Sequence, residues 1–327
     1  MLWQRNSLAQ TRGAILCEPM RVHPASAQVP DDARGAALAL GNFDGVHRGH
    51  QAVIASARAA ADALNTPLGV AVFAPHPRRV FQPDAAPFRL QTNAQRARAL
   101  AALGVDHLYE IAFTRETASL SDEAFAKAIL SQRLGARHVS VGADFRFGRG
   151  RMGDADSLMR LGEHHGFSAD AVAPVSNGEE KFSSTAIRAA IAKGDMDAAA
   201  RMLSRPWAIE GTVLRGFQRG RTIGVPTANV ALGEYAHPRL GVYAVRVDVG
   251  DGALRAGVAS VGVNPTVGAL PAPLLEAHIF DFDGDLYGRT IETQLFAFLR
   301  PEATFASMDE MARQIESDAT QARALLA

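Results

Sequence analysis

The sequence contains a single cysteine, Cys17, among its 327 residues. One thiol supports neither an internal disulfide nor a cysteine-rich zinc site, and a reducing compartment suits such a chain. No apolar run approaches the ~18–20 residues that a membrane-spanning helix requires. We therefore expect a soluble, cytoplasmic protein that has no membrane partner.

An excess of either charge is also lacking, because Lys+Arg and Asp+Glu both number 34. Proteins that bind nucleic acids usually carry a basic excess, so we expect no nucleic-acid partner. Apolar residues make up 47% and charged residues 21% of the chain, as in ordinary globular proteins. The length suits two domains, and we expect a monomer that acts on small molecules.

Residues 1–19 lack the compact apolar core and the small-residue cleavage site of a secretory signal. A transit peptide is one alternative for this stretch. We instead interpret 1–19 as a disordered extension, because Met20 is a natural start for the first strand unit.

From about residue 36 to 182, short apolar strands alternate with helical segments. In the first helix, Val53, Ala57, Ala61 and Leu64 recur at helical spacing and predict a buried face. Strands that alternate with helices predict a doubly wound parallel sheet. We assign 20–186 to this α/β domain and 187–206 to a connector.

The pattern changes at Trp207, after which short strands alternate with glycine-rich turns. Apolar and polar residues alternate clearly in "YAVRVDV", and a helical pattern returns only near the C-terminus. We predict a small antiparallel β-barrel or sandwich with a terminal helix over 207–327.

The stretch "GNFDGVHRGH" follows the first strand of the α/β domain and places His47 and His50 before a helix. A helix N-terminus attracts phosphate, and Gly49 allows the backbone to approach a ligand closely. Ligands of doubly wound sheets bind at the carboxyl ends of strands, where this loop lies. Two imidazoles there would suit phosphoryl or nucleotidyl transfer, which needs mainly positioning and charge neutralisation. From this motif alone, a solvated helix cap is an equal alternative.

Three further segments lie at strand ends or helix starts. They are "FAPHP" with Phe73, His76 and Pro77, "GADFRFG" with Asp144 and Phe145, and "SSTAIR" with Ser184, Thr185 and Arg188. Each segment alone is an ordinary turn or cap. Together with the histidine loop they predict one nucleotide site.

In the second half, "GFQRGRTIGVPTANV" is spaced by glycines whose backbone N–H groups can surround phosphates. Thr227 and Asn229 carry the hard oxygen atoms that Mg²⁺ accepts beside a nucleotide. The alternative is a hairpin loop rich in turn residues.

Glu276 interrupts an otherwise apolar strand, where a carboxylate needs either a partner or a task. Removing a proton from an alcohol is one such task; an edge-strand glutamate that faces water is the alternative. The following run "DFDGDLYG" lacks the sixth-position glycine of a calcium loop, so we interpret it as a tight turn.

The motifs of the first half, in their order and spacing, resemble the FMN adenylyltransferase module of bacterial bifunctional FAD synthetases. The resemblance implies that FMN attacks the α-phosphorus of ATP to give FAD and pyrophosphate, with His47 and His50 stabilising the transition state. It implies ATP and phosphate contacts from Gly41, Asn42, Phe43, Asp44, Gly49, Ser184, Thr185 and Arg188. It implies flavin or nucleotide contacts from Phe73, His76, Pro77, Asp144 and Phe145.

The second half resembles the riboflavin kinase module of the same enzymes through "GRTIGVPTANV", "GVYAVRV" and "LEAHIFDFDGDLYG". The resemblance implies that Glu276 activates the ribityl hydroxyl of riboflavin and that Thr227 and Asn229 bind Mg²⁺. It implies ATP contacts from Gly216, Gly220, Arg221, Gly224, Pro226, Thr227 and Asn229. ATP and Mg²⁺ would serve both steps.

Two other functions are open to such motifs. Another adenylyltransferase with an HxGH loop, acting on pantetheine phosphate or a pyridine mononucleotide, would explain the first half but not the barrel. A flavin-binding regulator without catalysis would not need the histidines, Thr227, Asn229 and Glu276. The resemblance over both halves favours a bifunctional enzyme that makes FMN and then FAD.

Overall fold

The computed structural model describes residues 19–178, 180–215, 226–263 and 273–327. Most of the expected N-terminal extension therefore lies outside the described residues. The same holds for four residues of the predicted kinase ATP site, Gly216, Gly220, Arg221 and Gly224. The predictions for these positions stay predictions.

The N-terminal domain is built on six parallel strands in the order β1-β4-β3-β2-β5-β6. The strands are β1 Arg21–His23, β2 Ala37–Leu40, β3 Leu68–Ala74, β4 His107–Ala112, β5 His138–Gly142 and β6 Ser168–Val172. The chain builds outward from β2 through β3 to β4 and then continues on the other side of β2 with β5. The carboxyl ends of β2 and β5 thus form the crevice in which such sheets bind ligands.

Helices cover both faces of this sheet and connect it to the second domain. They are α1 Arg48–Leu64, α2 Pro77–Phe81, α3 Asn93–Ala102, α4 Arg115–Ser119, α5 Asp122–Phe125, α6 Ala155–His165, α7 Ser184–Lys193 and α8 Met196–Leu203. The segment Ala126–Arg133 continues α5 as a π-helix.

The buried face of α1 differs from the prediction at one position. Val53, Ala57 and Ala61 are buried as expected, together with Ile54. Leu64 is 41% exposed, so its predicted place in the core is wrong. It is the last residue of α1, and the chain turns away at Asn65 in the left-handed region.

The C-terminal domain is an antiparallel sheet of six strands in the order β7-β12-β9-β10-β11-β8. The strands are β7 Trp207–Thr212, β8 Ala228–Ala231, β9 Gly241–Asp248, β10 Leu254–Val263, β11 Pro273–Ile279 and β12 Thr290–Arg300. Its two ends meet where the Leu214 N–H donates to the Asn229 carbonyl at 2.8 Å. The sheet therefore curls into a nearly closed barrel, as the sequence predicted.

The terminal helix, α9 Met308–Leu326, packs against the outer face of the barrel. Its Ala322 and Leu326 contact an apolar patch that includes Ala244 and Val258. The predicted terminal helix and the predicted fold class are both confirmed.

The two domains share one apolar core. Ile191 and Leu203 of the connecting helices α7 and α8 pack with Trp207 and Ile209 of the barrel. The domains therefore lie in a defined position relative to each other. In the described part of the chain, no helix combines the length and the apolar character needed to cross a membrane.

Candidate active sites

A cleft of about 1370 Å³ lies at the carboxyl ends of β2, β3 and β5. Its walls include nearly all residues predicted for the N-terminal site: Gly41, Asn42, Phe43, Asp44, His47, Gly49, His50, Phe73, His76, Pro77, Asp144, Phe145, Ser184 and Arg188. Thr185 is exposed at the second position of α7 and lies outside this lining. Four segments far apart in sequence thus form one site.

His47 and His50 lie face to face at the start of α1, with ring centroids 3.6 Å apart and planes 22° from parallel. His47 is the N-cap of α1, and its Nδ1 accepts a hydrogen bond from the His50 N–H at 3.3 Å. A nitrogen that accepts carries no proton, so neutral His47 is protonated at Nε2. This leaves Nε2 as a donor for a phosphate oxygen.

The electrostatic surroundings keep both rings neutral before a ligand binds. Burial, together with the nearby charges of Arg188 and Arg205, lowers the pKa of His47 to about 4. Burial, followed by the neighbouring His47 and Arg188, holds the pKa of His50 well below its ordinary value. An incoming phosphate would oppose both shifts, because its negative charge favours the protonated ring.

Two buried polar atoms in the cleft have no hydrogen-bond partner among the residues that the structure describes. They are Oδ1 of Asn42 and Nδ1 of His50. Leaving a buried polar atom unpaired costs about 1–3 kcal/mol. Asn42 and His50 both line the cleft, and His50 lies in the first turn of α1.

His76 repeats the arrangement of His47 at the start of α2. It is the N-cap of α2, and its Nδ1 accepts from the Arg78 N–H at 3.2 Å. Burial is the main reason that its pKa falls to about 4, followed by the charges of Arg89 and Arg188. Its Nε2 is therefore also a neutral donor.

Asp44 is only 2% exposed, and its carboxylate is bonded within the protein. Oδ2 accepts from a guanidinium nitrogen of Arg188 at 2.5 Å, and Oδ1 accepts from the Leu90 N–H at 3.0 Å. The Asp44 carbonyl accepts from the Ser184 hydroxyl at 2.8 Å. Asp44 thus joins the histidine loop to the start of α7 and holds Arg188 at the cleft.

Asp144, by contrast, is exposed at the rim of the cleft, where Lys181 donates to its Oδ2 at 2.5 Å. The hydrogen bond from Lys181 is the main reason that the pKa of Asp144 lies below its ordinary value. Asp144 and Lys181 close one side of the cleft mouth between β5 and α7.

The cleft is strongly basic although the whole chain is neutral. Among its described lining residues, Asp44 and Asp144 are the only acidic ones. The basic ones are Arg78, Arg115, Arg146, Arg149, Arg151, Lys181 and Arg188. Folding therefore concentrates positive charge where a polyphosphate would bind.

A wall of phenylalanines on one side of the cleft was not recognised from the sequence, apart from Phe73 and Phe145. Neighbouring rings touch with centroids between 5.4 and 6.0 Å apart. The wall runs through Phe81, Phe113, Phe73, Phe125, Phe147 and Phe145. Phe81 is 64% exposed, so the wall reaches the protein surface at this end. Phe113 directly follows β4, and this strand-end position was the signal available in the sequence.

The second candidate site lies on the barrel, where Glu276 of β11 is paired directly with Asn229 of β8. Residues opposite each other in antiparallel strands share a face, with Cβ atoms about 5 Å apart. Leu275 and Ala277, which flank Glu276, are buried in the barrel core. Glu276 and its cross-strand partner Asn229 therefore lie on the outer face. The predicted base and one predicted Mg²⁺ ligand are therefore neighbours.

Glu276 is half-buried, and burial raises the pKa of its carboxyl group. Within the part of the chain that the structure describes, its carboxylate has no hydrogen-bond or ion-pair partner. A carboxylate with a raised pKa is a better proton acceptor than an ordinary surface glutamate.

His278, two residues along the same face, fixes the start of the segment 226–229, whose sequence is PTAN. One of its ring nitrogens, Nδ1, lies 2.9 Å from the Pro226 carbonyl oxygen. The next residue, Thr227, is half-exposed, whereas Asn229 is buried. The Asn229 amide nitrogen donates to the Thr227 carbonyl at 3.5 Å, which turns its carbonyl oxygen away from that contact.

Together these features define a two-domain nucleotide-dependent transferase, with an adenylyltransferase-type cleft on a parallel sheet and a kinase-type barrel beside it. A family model for FAD synthetase matches residues 29–186, and one for riboflavin kinase matches residues 203–326. The chain belongs to the family of bifunctional riboflavin kinase/FMN adenylyltransferases, which confirms the resemblance inferred from its motifs.

Curated relatives match nearly the whole chain. The bifunctional riboflavin kinase/FMN adenylyltransferase of Pseudomonas fluorescens is 44% identical over 90% of this chain and 94% of its own length. That of Escherichia coli K12 is 41% identical over the same shares.

A solved structure, described as a macrolide-efflux protein from Streptococcus pneumoniae, has the same fold. Its TM-score is 0.82 at 31% identity, and the match covers 92% of this chain and 98% of that one. Both domains and their relative arrangement are thus shared with an experimental structure.

Proposed function

We propose that this chain phosphorylates riboflavin to FMN on the barrel and adenylylates FMN to FAD in the cleft, with ATP as the donor in both steps. The observation that carries the proposal is the assembly of four separated motifs into one basic cleft beside a barrel that pairs Glu276 with Asn229. A cleft alone would suit several adenylyltransferases. The matches to the family models for FAD synthetase and riboflavin kinase favour flavin as the acceptor.

In the adenylyl step, a phosphate oxygen of FMN forms a bond to the α-phosphorus of ATP. The bond from this phosphorus to the bridging oxygen breaks, and pyrophosphate leaves. His47 and His50 donate hydrogen bonds to the phosphate oxygens on which charge increases. The N–H groups at the start of α1 and the Arg188 guanidinium add positive potential at the same place.

The phenylalanine wall gives the flavin ring a place next to these phosphates. Isoalloxazine is flat, aromatic and largely apolar, so rings such as Phe81 and Phe113 can cover it. The basic residues at the mouth hold the phosphate end of FMN toward the histidines. This orientation brings the nucleophilic oxygen to the α-phosphorus.

In the kinase step, the terminal ribityl hydroxyl of riboflavin attacks the γ-phosphorus of ATP, and ADP leaves. Glu276 accepts the hydroxyl proton, a role supported by its raised pKa.

The oxygen donors on the barrel fit Mg²⁺. The Thr227 hydroxyl and the Asn229 carbonyl oxygen are hard ligands of the kind that hold this ion together with nucleotide phosphates. When bound, Mg²⁺ would neutralise phosphate charge in the kinase step. We also propose that the protein is a monomer in the cytoplasm.

A time course with riboflavin, ATP and Mg²⁺, with the flavins separated by chromatography, tests the proposal. We expect FMN to rise first and FAD to follow. Parallel reactions supply pantetheine phosphate or nicotinamide mononucleotide in place of the flavin. Adenylylation of either of these compounds, with none of FMN, would overturn the assignment of the cleft.

A further inference from the structure

The adenylyl-transfer cleft is tied to the barrel by an unbroken chain of hydrogen bonds. Trp207, the first residue of β7, donates its Nε1–H to the Leu90 carbonyl at 2.8 Å. The Leu90 N–H donates to Oδ1 of Asp44 at 3.0 Å, and Arg188 donates to Oδ2 of the same carboxylate at 2.5 Å. One end of this chain is the kinase barrel, and the other is a cleft arginine.

The residues that form this series of hydrogen bonds before Arg188 are shielded from water. Trp207, Leu90 and Asp44 are each 2% exposed. Water therefore cannot replace a lost bond, and a break leaves a buried carbonyl or carboxylate unpaired. For the same reason the position of Leu90 is determined jointly by the barrel and by Asp44.

The segment around Leu90 is held by the barrel on its other side as well. The Glu234 carbonyl accepts from the N–H groups of Phe88 and Arg89 at 3.0 and 2.8 Å, and Ala236 donates back to the Arg89 carbonyl at 2.8 Å. The Phe88 carbonyl in turn accepts from Nε of Arg188 at 2.7 Å. Residues 88–90 thus contact the barrel and both ends of the Asp44–Arg188 pair.

We propose that Trp207 is a positioning residue for adenylyl transfer. Its indole N–H holds Leu90 in place, and Leu90 in turn holds the Asp44 carboxylate. That carboxylate orients Arg188 toward the phosphates. The kinase domain would then form part of the adenylyltransferase site without touching its substrates. This inference rests on the proposed function of the cleft.

The variant Trp207→Phe keeps an aromatic ring and removes the N–H. We expect kcat/KM for adenylyl transfer to fall about tenfold, the loss typical of one buried hydrogen bond. The change should be mainly in the KM for ATP, because Arg188 would no longer be aimed at the phosphates. The kinase activity of the same preparation should stay within twofold and serves as an internal check of folding.

Tyr235→Phe is the matched control at the same interface. The Tyr235 hydroxyl donates to Gln95 across the domain interface at 2.6 Å and accepts from the Glu210 N–H within the barrel at 2.9 Å. Its removal therefore breaks one interdomain bond that is not part of the chain from Trp207 to Arg188. We expect both activities of this variant to stay within twofold. Equal losses in Tyr235→Phe and Trp207→Phe would show that general domain docking matters, and would overturn the role of Trp207.

A double-mutant cycle with Arg188→Ala separates positioning from a structural effect. If Trp207 acts through Arg188, the Trp207→Phe loss should disappear in the Arg188→Ala background. Additive losses would contradict the proposal, and so would an adenylyl activity within twofold of wild type in Trp207→Phe alone.

Should Trp207→Phe impair folding, tryptophan can be replaced biosynthetically by 3-benzothienylalanine, which has sulfur in place of the ring N–H. The only other tryptophan is Trp3, and a Trp3→Phe background makes the replacement specific. The same tenfold loss is expected, and an unchanged KM for ATP would refute the proposal. FAD formation by wild type, measured first, distinguishes this failure from a failure of the proposed function.

Discussion

Glu276 and Asn229 are directly paired across β11 and β8, on the outer face of the barrel. Because this pairing puts a half-buried carboxylate with a raised pKa beside an amide, the two residues can serve one phosphoryl transfer. Neither residue is among the described residues that line the cleft of the other domain. The two activities should therefore respond separately to substitution.

Glu276→Gln should reduce FMN formation from riboflavin by about 10²–10⁴-fold, because the variant removes the proposed base and keeps its size. FAD formation from supplied FMN should be unchanged. Both rates are measured by chromatography of the flavins, and Glu316→Gln, an exposed change on α9, is the control. Equal loss of both activities would overturn the two-site arrangement.

His50→Ala should have the opposite pattern. Removal of one donor to the transition-state phosphate should lower the adenylyl rate by about 10²–10³-fold and leave the kinase rate intact. His164→Ala, an exposed change on α6, controls for the loss of an imidazole. Undiminished FAD production by the His50 variant would refute the role given to the histidine pair.

Phe113→Ala should weaken flavin binding in the cleft. Loss of one aromatic contact should raise the KM for FMN by about five- to tenfold, with the KM for ATP unchanged. Phe305→Ala, in the C-terminal domain, is the matched control. An increase confined to the KM for ATP would mean that the wall holds adenine instead.

Stability should fall on acidification because His47, which is buried, and His76, which is partly buried, are neutral rings in the folded protein. The pKa of each is about 4 in the folded protein, against 6.5 for an unperturbed histidine. Between pH 6.5 and 4 the unfolded chain binds more protons, so the unfolding free energy decreases as the pH falls through this window. The shifted pKa of each histidine accounts for at most about 3 kcal/mol of this decrease in the unfolding free energy.

Denaturant unfolding at several pH values between 7.5 and 4 measures this effect. His76→Gln should flatten the profile relative to wild type, whereas His164→Gln should not. A His76→Gln profile as steep as that of wild type would show that other groups are responsible.

The terminal helix should depend on one buried ion pair. Arg300 of β12 binds both carboxylate oxygens of Asp318 at 2.8 to 3.1 Å, and Asp318 is 4% exposed. Asp318→Ala should lower the unfolding free energy by about 2–3 kcal/mol, because Arg300 loses its partner. Urea unfolding should show no comparable loss for Glu316→Ala on the same helix, and similar losses would contradict the assignment.

Much of the fold was predictable because local patterns agree with it. The strand and helix alternation that predicted the parallel sheet, and the short alternating strands of the barrel, are both present. Leu64 was misplaced because helical spacing alone does not show where a helix passes the edge of its sheet. The π-helix Ala126–Arg133 could not be predicted from the sequence either, because the spacing of its apolar residues also fits an ordinary α-helix.

The sequence predicted which residues line the cleft, but it did not reveal the role of every one of them. Asp44 was grouped with the phosphate contacts, yet its carboxylate is bonded to Arg188 and Leu90. Leu90 carries no chemistry that a sequence motif would reveal, and its role comes from two backbone hydrogen bonds. The phenylalanine wall was missed because its rings come from separate loops and strand ends.

The sequence by itself determined the two-domain organisation, the fold class and the family, because these follow from local periodicity and from short motifs in a fixed order. Only the tertiary structure determined which charged residues lie close together. A chain with 34 basic and 34 acidic residues forms a basic cleft, and an indole in the barrel reaches a carboxylate in the other domain through Leu90. Such relationships depend on the relative positions of distant backbone segments, which neither composition nor spacing encodes.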